Sequence, residues 1–286
     1  MAKVIDGCLI ANEIKNKAAL DVIKLKKLGV EVCLAVVYVG FNAASEIYIK
    51  NKAKACESLR IKLKCVHLSE SISKEEFVNT IKRLNSDCKV NGILIQLPLP
   101  PQLNDFEFFD LINPAKDVDG FCAENVGRLF LGRPCLTPCT AAGVVFLLDH
   151  EKINLSGLCC AVVGKSNIVG KPLSLMLMQK NATVVVCCSK TVNLSEMLQK
   201  SDVVVSAVGS PKLIKASMVK EGAIVVDVGI NRLENGKICG DVDFEEVKTK
   251  ASLITPVPGG VGPLTVAKLM KNVVDAAKMQ HGFCEI

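Results

Sequence analysis

Between residues 33 and 97 the chain alternates short, strongly apolar runs with longer amphipathic stretches. Cys33-Leu-Ala-Val-Val-Tyr-Val39, Lys64-Cys-Val-His-Leu68 and Gly92-Ile-Leu-Ile-Gln-Leu97 have the length and β-branched content of strands. The stretches between them, near residues 44–59 and 73–87, carry helical spacing, so the segment predicts a βαβαβ unit. Ser73 and Glu76 stand at capping-box spacing, which marks where the second helix starts, because a serine there satisfies an exposed backbone N–H. From Thr140 the pattern restarts, with a helix to about His150 and strands at 158–163, 182–187, 202–206 and 223–228. Asn235-Gly236 is a hairpin-type turn signal. A last helix is expected from Leu264, and the glycine- and proline-rich break from Pro256 to Pro263 lets it turn back onto the first domain. The expected organisation is one α/β domain at residues 1–138, with residues 264–286 packing back on it, and a second at 139–263. No internal repeat or low-complexity segment interrupts it.

The second domain opens with a glycine loop, Val162-Val-Gly-Lys-Ser-Asn-Ile-Val-Gly-Lys-Pro172, set between a strand and a helix. It is not a nucleoside-triphosphate loop, since five residues separate Gly164 from Gly170 and Pro172 follows Lys171 where a magnesium-binding hydroxyl belongs. As a dinucleotide loop it is incomplete, with Ser166 at the second glycine position and Gly170 one residue late, and by itself it also fits an ordinary turn. Its place after the first strand of an α/β unit favours a dinucleotide, whose pyrophosphate sits at the helix N-terminus. An NAD site has an acidic residue at the end of the next strand, but that strand ends Cys187-Cys-Ser-Lys-Thr191. Ser189, Lys190 and Lys165 offer a hydroxyl and positive charge instead, which suits the 2′-phosphate of NADP, although lysines at loop tips are also simply solvated.

Composition narrows the classes. With 286 residues and 50% hydrophobic content, the chain can bury two cores of ordinary size. No apolar run reaches the roughly eighteen residues a membrane span needs, and Asp6 stands where a signal peptide has its apolar core, so a cytoplasmic protein is expected. The fourteen cysteines include pairs inside apolar strands, Cys159-Cys160 and Cys187-Cys188, where cysteine acts as a small hydrophobe, and they are expected to be reduced. Scattered histidines and the absence of a C-x-x-C pair predict no metal. A net charge of +6 with dispersed lysines, two tyrosines and no tryptophan points to an anionic small molecule and away from nucleic acid.

Candidate chemistry in the first domain is sparse. Ser45, Tyr48 and Lys52 share one helical face, placing a hydroxyl, a ring and an amine together, yet Lys50, Lys52 and Lys54 also read as a solvated face. Gln96 in an apolar strand needs partners and could orient the Lys52 amine, or serve as a structural amide. Asp119, in Lys116-Asp-Val-Asp-Gly120, could meet a donor-rich heterocycle, or belong with Asp117 to a turn.

Together these segments resemble the bifunctional methylenetetrahydrofolate dehydrogenase/methenyltetrahydrofolate cyclohydrolase family. The matching segments are Ser45-x-x-Tyr48-x-x-x-Lys52, Gln96-Leu-Pro-Leu-Pro, Lys116-Asp-Val-Asp-Gly120, Pro138-Cys-Thr140, Gly164-x-Ser-x-Ile-Val-Gly-x-Pro172, Gly229-Ile-Asn231 and Thr255-Pro-Val-Pro-Gly-Gly-Val-Gly-Pro263. The resemblance spans essentially the whole chain. It implies an N-terminal catalytic folate-binding α/β domain, a Rossmann-like NADP-binding domain and an active-site cleft between them. It also implies a homodimer that oxidises methylenetetrahydrofolate with NADP and hydrolyses the methenyl product to the 10-formyl compound, in one-carbon metabolism. By position, Lys52 resembles the catalytic lysine, Gln96 its partner, Tyr48 the ring that stacks on folate, and Asp119 the carboxylate that binds the pterin. Ser45 and Pro263 correspond to further substrate contacts, and Gly164, Lys165, Ser166, Ser189 and Ile230 to cofactor contacts. Lys165 stands where the family often has arginine, and Cys188 where it often has histidine. A shikimate-type dehydrogenase would share the two-domain pattern, and a non-catalytic folate-binding protein would keep Tyr48 and Asp119, but neither needs the full set of segments.

Overall fold

The computed structural model of the chain describes residues 2–41, 43–103 and 106–283, with the backbone alone for 43–47, 106 and 107. It divides into two compact units, one formed by residues up to Asn12 and Thr140–Thr265, the other by Glu13–Cys139 and the chain from Val266 onward. Helix α1 is Gly7–Lys27 and the closing helix, α9, is Val261–Gln280.

The second of these units is built on a three-stranded parallel sheet of β2 (Cys33–Val39), β3 (Lys62–Leu68) and β4 (Gly92–Ile95), in the order β3-β2-β4. Its crossovers are α2 (Ala43–Ser58) and α3 (Lys74–Ser86). Strand β2 reads as an unbroken apolar run because both its faces are covered. Leu34 and Val36 join a core with Val22 and Leu25 of α1 and Met270 and Val273 of α9, while Ala35 and Val37 join another with Phe77 and Ile81 of α3. Burying each such valine or leucine stabilises the unit by about 1.5–3 kcal/mol, so α9 is integral to it. Edge strand β3 carries exposed Lys62 and Lys64, charges that discourage further strand pairing. Ser73 caps α3 as its spacing predicts, its hydroxyl accepting from the Glu76 N–H at 3.2 Å. A short helix α4 (Ala123–Phe130) follows the Lys116–Gly120 turn.

The first unit holds a six-stranded parallel sheet. Its strands are β1 (Lys3–Val4), β5 (Cys159–Val163), β6 (Thr183–Cys187), β7 (Val203–Ser206), β8 (Ile224–Asp227) and β11 (Leu253–Ile254), ordered β1-β11-β8-β7-β5-β6. Helices α5 (Cys139–His150), α6 (Gly170–Gln179), α7 (Leu194–Gln199) and α8 (Phe244–Val247) accompany it. The chain runs from β5 outward to β6 on one side, then to β7 and β8 on the other. The loop after β5 therefore lies where the strand order reverses, the place where open α/β sheets bind ligands. A small antiparallel hairpin, β9 (Asn231–Arg232) with β10 (Ile238–Cys239), closes over Asn235-Gly236, with Gly236 at φ 78°. Among the described residues no helix is long and apolar enough to cross a membrane. Every cysteine among them is a free thiol.

Candidate active site

Lys52 lies within α2, and its neighbours distinguish it from an ordinary surface lysine. Lys50 and Lys54 are exposed, whereas Lys52 is half-buried and its Nζ donates to Gln96 Oε1 at 2.8 Å. Gln96 follows β4 and is held by pairing of its backbone N–H with the Val37 carbonyl, and its own Nε2 donates to the Leu97 carbonyl at 2.6 Å. With the amide nitrogen so engaged, the side-chain oxygen must face the lysine. The Leu97–Pro98 bond that follows is cis.

Burial pulls the Lys52 ammonium below the usual lysine range, against the opposing charge of Asp119. Asp119 is itself pushed up to about 6 by burial, which outweighs the Lys52 charge, and Asp117 adds to the rise. Both shifts favour the uncharged forms. The site thus weakens both charges, holding Lys52 below the usual lysine range and Asp119 above the usual carboxylate range.

The two aspartates of the Lys116–Gly120 turn have separate tasks. Asp117 is fully buried and accepts from the N–H groups of Gly120 and Cys122 at 3.1 and 2.9 Å and from Asn125 Nδ2 at 3.0 Å. Lys116 Nζ donates to the Leu84, Asn85 and Asp87 carbonyls at the end of α3, where the helix dipole favours a cation. Gly120 has φ +71°, and a Cβ there would lie 2.6 Å from the Leu136 carbonyl oxygen. The turn is thus fixed by Lys116, Asp117 and Gly120, and none of these bonds uses the Asp119 carboxyl.

Two further residues set this turn, and sequence spacing gave no sign of their task. Asn272 of α9 donates from Nδ2 to the Val118 and Thr137 carbonyls, both at 2.8 Å, and Cys139 Sγ donates to the same Val118 oxygen at 3.3 Å. Burial raises the Cys139 thiol well above its usual range, so it serves as a weak donor and not as a nucleophile. Tyr48 sits one turn before Lys52 with 43% of its surface exposed, open to a flat ligand. Ser45 lies in α2, but its side chain is outside the described residues. Pro263 occupies the first turn of α9, in the other unit.

In that unit the glycine loop owes its residues to crowding. A Cβ at Gly164 would lie 2.3 Å from the Ala207 carbonyl oxygen, and one at Gly170 would lie 2.0 Å from the Gly164 carbonyl oxygen. Ser166 Oγ accepts from the N–H groups of Val169 and Gly170 at 3.2 and 3.4 Å, bracing the start of α6. A hydroxyl that accepts twice still has its own proton to donate. Lys165, Ser189 and Lys190 are exposed, and Ile230 is 49% exposed. The Cys188 thiol is drawn below its usual range by the Lys190 N–H and the Thr191 hydroxyl, with help from the Lys165 charge. The Lys165 charge is thus felt at the residue that follows β6, the region whose residue type sets nucleotide preference in open α/β sheets. Two buried aspartates, Asp227 and Asp241, stand below the loops after β7 and β8, and sequence reading missed both.

Comparison with known proteins also finds two parts, divided along the chain between residues 119 and 138. Residues 5–119 match the model of the tetrahydrofolate dehydrogenase/cyclohydrolase catalytic domain, and residues 138–281 that of the corresponding NAD(P)-binding domain. The bifunctional protein FolD of Agathobacter rectalis is 50% identical over 278 residues, covering 97% of this chain and all of that one. The crystal structure of the bifunctional methylenetetrahydrofolate dehydrogenase/cyclohydrolase from Campylobacter jejuni is 48% identical with a TM-score of 0.96, covering 98% of this chain and 99% of that one. The Trypanosoma brucei dehydrogenase-cyclohydrolase, complexed with NADP and an inhibitor, is 34% identical with a TM-score of 0.93, covering 97% and 98%.

Proposed function

The chain belongs to the tetrahydrofolate dehydrogenase/cyclohydrolase family and carries its two activities, and from that premise we propose that Lys52 is the proton carrier and NADP the preferred cofactor. The reactions are oxidation of 5,10-methylenetetrahydrofolate to the methenyl cation and its hydrolysis to 10-formyltetrahydrofolate. The observation that carries the reading is the hydrogen bond from Lys52 to Gln96 at a site where burial already disfavours the ammonium.

The chemistry that bound NADP would supply is acceptance of the hydride from the methylene carbon. The residues that would hold it are Gly164, Lys165, Ser166, Ser189 and Ile230, and the crowding at Gly164 and Gly170 supports a loop built for close backbone approach. The Lys165 charge felt at Cys188, with no acidic residue at positions 187–191, supports NADP over NAD. Oxidation needs little acid-base help because the nitrogens flanking the carbon supply electron density, so positioning dominates.

Hydrolysis needs a base and then an acid. The methenyl substrate is a cation, and its charge beside Lys52 disfavours the ammonium further. Neutral Lys52, held through Gln96, takes a proton from water as the oxygen bonds to the methenyl carbon. The same proton then goes to N5 as the bond from carbon to N5 breaks, while the carbinol hydroxyl releases its remaining proton to solvent and becomes the carbonyl of the formyl group on N10. Tyr48 offers the stacking face, Asp119 binds the pterin, and Ser45 and Pro263 add substrate contacts.

The reading also makes the protein cytoplasmic and homodimeric through its NADP-binding half. Strand β6 is a sheet edge with Val186 46% exposed, and Val192 in the loop that follows is 78% exposed, an apolar margin that a second copy would cover. The test is absorbance on adding methylenetetrahydrofolate to enzyme and NADP. The reading expects NADPH to appear and methenyl absorbance to decay faster than the spontaneous rate. NADP reduction without accelerated decay would remove the hydrolytic role.

A further inference from the structure

One buried carboxylate in the NADP-binding half gathers five donors, four from the end of β7 and the loop after it and one from Asn231 beyond β8. Asp241 Oδ2 accepts from the N–H groups of Val208 and Gly209 at 2.8 and 3.3 Å and from Ser206 Oγ at 3.2 Å. Its Oδ1 accepts from the Ser210 N–H and from Asn231 Nδ2, both at 2.9 Å. The first three residues after Ala207 thus hang from one side chain at the end of β7, and the same side chain reaches the segment that follows β8. A second carboxylate, Asp227 at the end of β8, accepts from the N–H groups of Gly229, Asp241 and Val242 at 2.9, 3.0 and 2.8 Å and so fixes Asp241 from behind.

The glycines around the pair show how tight this arrangement is. A Cβ at Gly229 would lie 2.2 Å from the Asp241 carboxyl carbon, and one at Gly240 would lie 1.9 Å from Asp227 Oδ2. Each carboxylate therefore fills the space a side chain would need on the neighbouring loop. The arrangement also continues to the glycine loop. Ala207 donates its N–H to the Val163 carbonyl, and its own carbonyl is the group that leaves no room for a Cβ at Gly164. On the other side, Gly229 and Asn231 flank Ile230, which stands 49% exposed.

We propose that Asp241 is the positioning residue of the nucleotide site, setting the 207–210 loop against Gly164 and the 229–231 segment that presents Ile230. Both loops leave the carboxyl ends of adjacent strands, where open parallel sheets hold their ligands. A carboxylate is suited to the task because charge-assisted bonds from backbone N–H groups are about twice as strong as neutral ones, and losing the acceptor would strand several donors at once. Asp241 need not touch the cofactor. It fixes the two walls that do.

The assignment rests on the NADP reading above, and the experiment separates the two. Asp241→Asn keeps the shape but turns an N–H₂ group toward donors it cannot accept. The expected result is a KM for NADP raised about tenfold, a kcat at saturating NADP within about threefold of wild type, and cyclohydrolase activity, measured without NADP, retained. A purely structural role would instead lower both activities together. If Asp241→Asn does not fold, Asn231→Ala removes one of the five bonds and should raise the same KM about threefold with the same split. An unchanged KM for NADP, or parallel loss of both activities, overturns the assignment. Wild-type enzyme that reduces no NADP overturns the cofactor reading itself, and the assignment with it.

Discussion

Asn272 reaches across 154 positions of sequence to donate from its side chain to the carbonyl of Val118 at 2.8 Å, one residue before the carboxyl that shares a site with Lys52. The closing helix is therefore part of the active-site support as well as of the core. Asn272→Ala leaves the Val118 carbonyl with only the weak Cys139 thiol donor and takes a donor from the part-buried Thr137 carbonyl, and a lost partner of this kind costs about 1–3 kcal/mol where the acceptor stays unsatisfied. We expect both activities to lose about tenfold in kcat/KM for folate, with KM for NADP unchanged. Steady-state kinetics with each substrate varied in turn checks this, and a variant altered only in NADP affinity would contradict it.

Lys165, proposed as a cofactor contact, is exposed, so a moderate contribution is expected of it. Lys165→Ala should weaken NADP by about tenfold or less and NAD by little. Parallel titrations with both nucleotides decide it. Equal wild-type affinity for NAD and NADP would remove the basis for this prediction.

The thiols should sort by environment when treated with iodoacetamide near neutral pH. Cys188, drawn below its usual range, should react first, while Cys56, Cys122 and Cys160, pushed up to about 12 by burial, should stay unmodified until the chain unfolds. Peptide mass spectrometry at successive times gives the order. Early modification of Cys160 would show that the core around β5 is open.

Acid should affect stability in an uncommon direction over part of the range. Asp119 and Asp227 have folded pKa values near 6 against an ordinary 3.8, so between about pH 4 and 6 the folded chain binds more protons than the unfolded one. Stability from these two groups is fully present below about pH 4 and is lost as pH rises through 6, by at most about 3 kcal/mol for each. Carboxyls shifted downward, among them Asp21, Asp202 and Asp243, work in the opposite sense only below about pH 4. Urea midpoints measured from pH 4.5 to 7 should fall with rising pH in the wild type and less steeply in Asp119→Asn. Equal slopes would refute the assignment for Asp119.

Much of the fold could be read from the chain because its strands are buried on both faces. The β2, β5, β7 and β8 runs appear within a residue or two of where they were expected, as do the Ser73 cap and the turn at Gly236. Helix α9 starts at Val261, earlier than Leu264, because a proline is tolerated in a first helical turn. Helix α1 was not anticipated, although Ile10, Ile14, Ala18, Val22 and Leu25 mark its buried stripe. Strands β1 and β11 have two residues each and exist only through their partners, so no local pattern announces them. The same limit applies to the site. Lys52 and Gln96 carry a local signature, but Asn272 and Asp241 act on backbone groups far away in sequence, and Asp117 and Asp119 differ only in what surrounds them.

The central claim is that Lys52 carries the proton of hydrolysis. Lys52→Met keeps most of the stem and loses the amine, and the measurement is methenyltetrahydrofolate decay above the spontaneous rate alongside NADP reduction by the same preparation. The account predicts a cyclohydrolase rate lower by about a hundredfold or more, with the dehydrogenase reduced much less. Near-normal cyclohydrolase activity in Lys52→Met would contradict it.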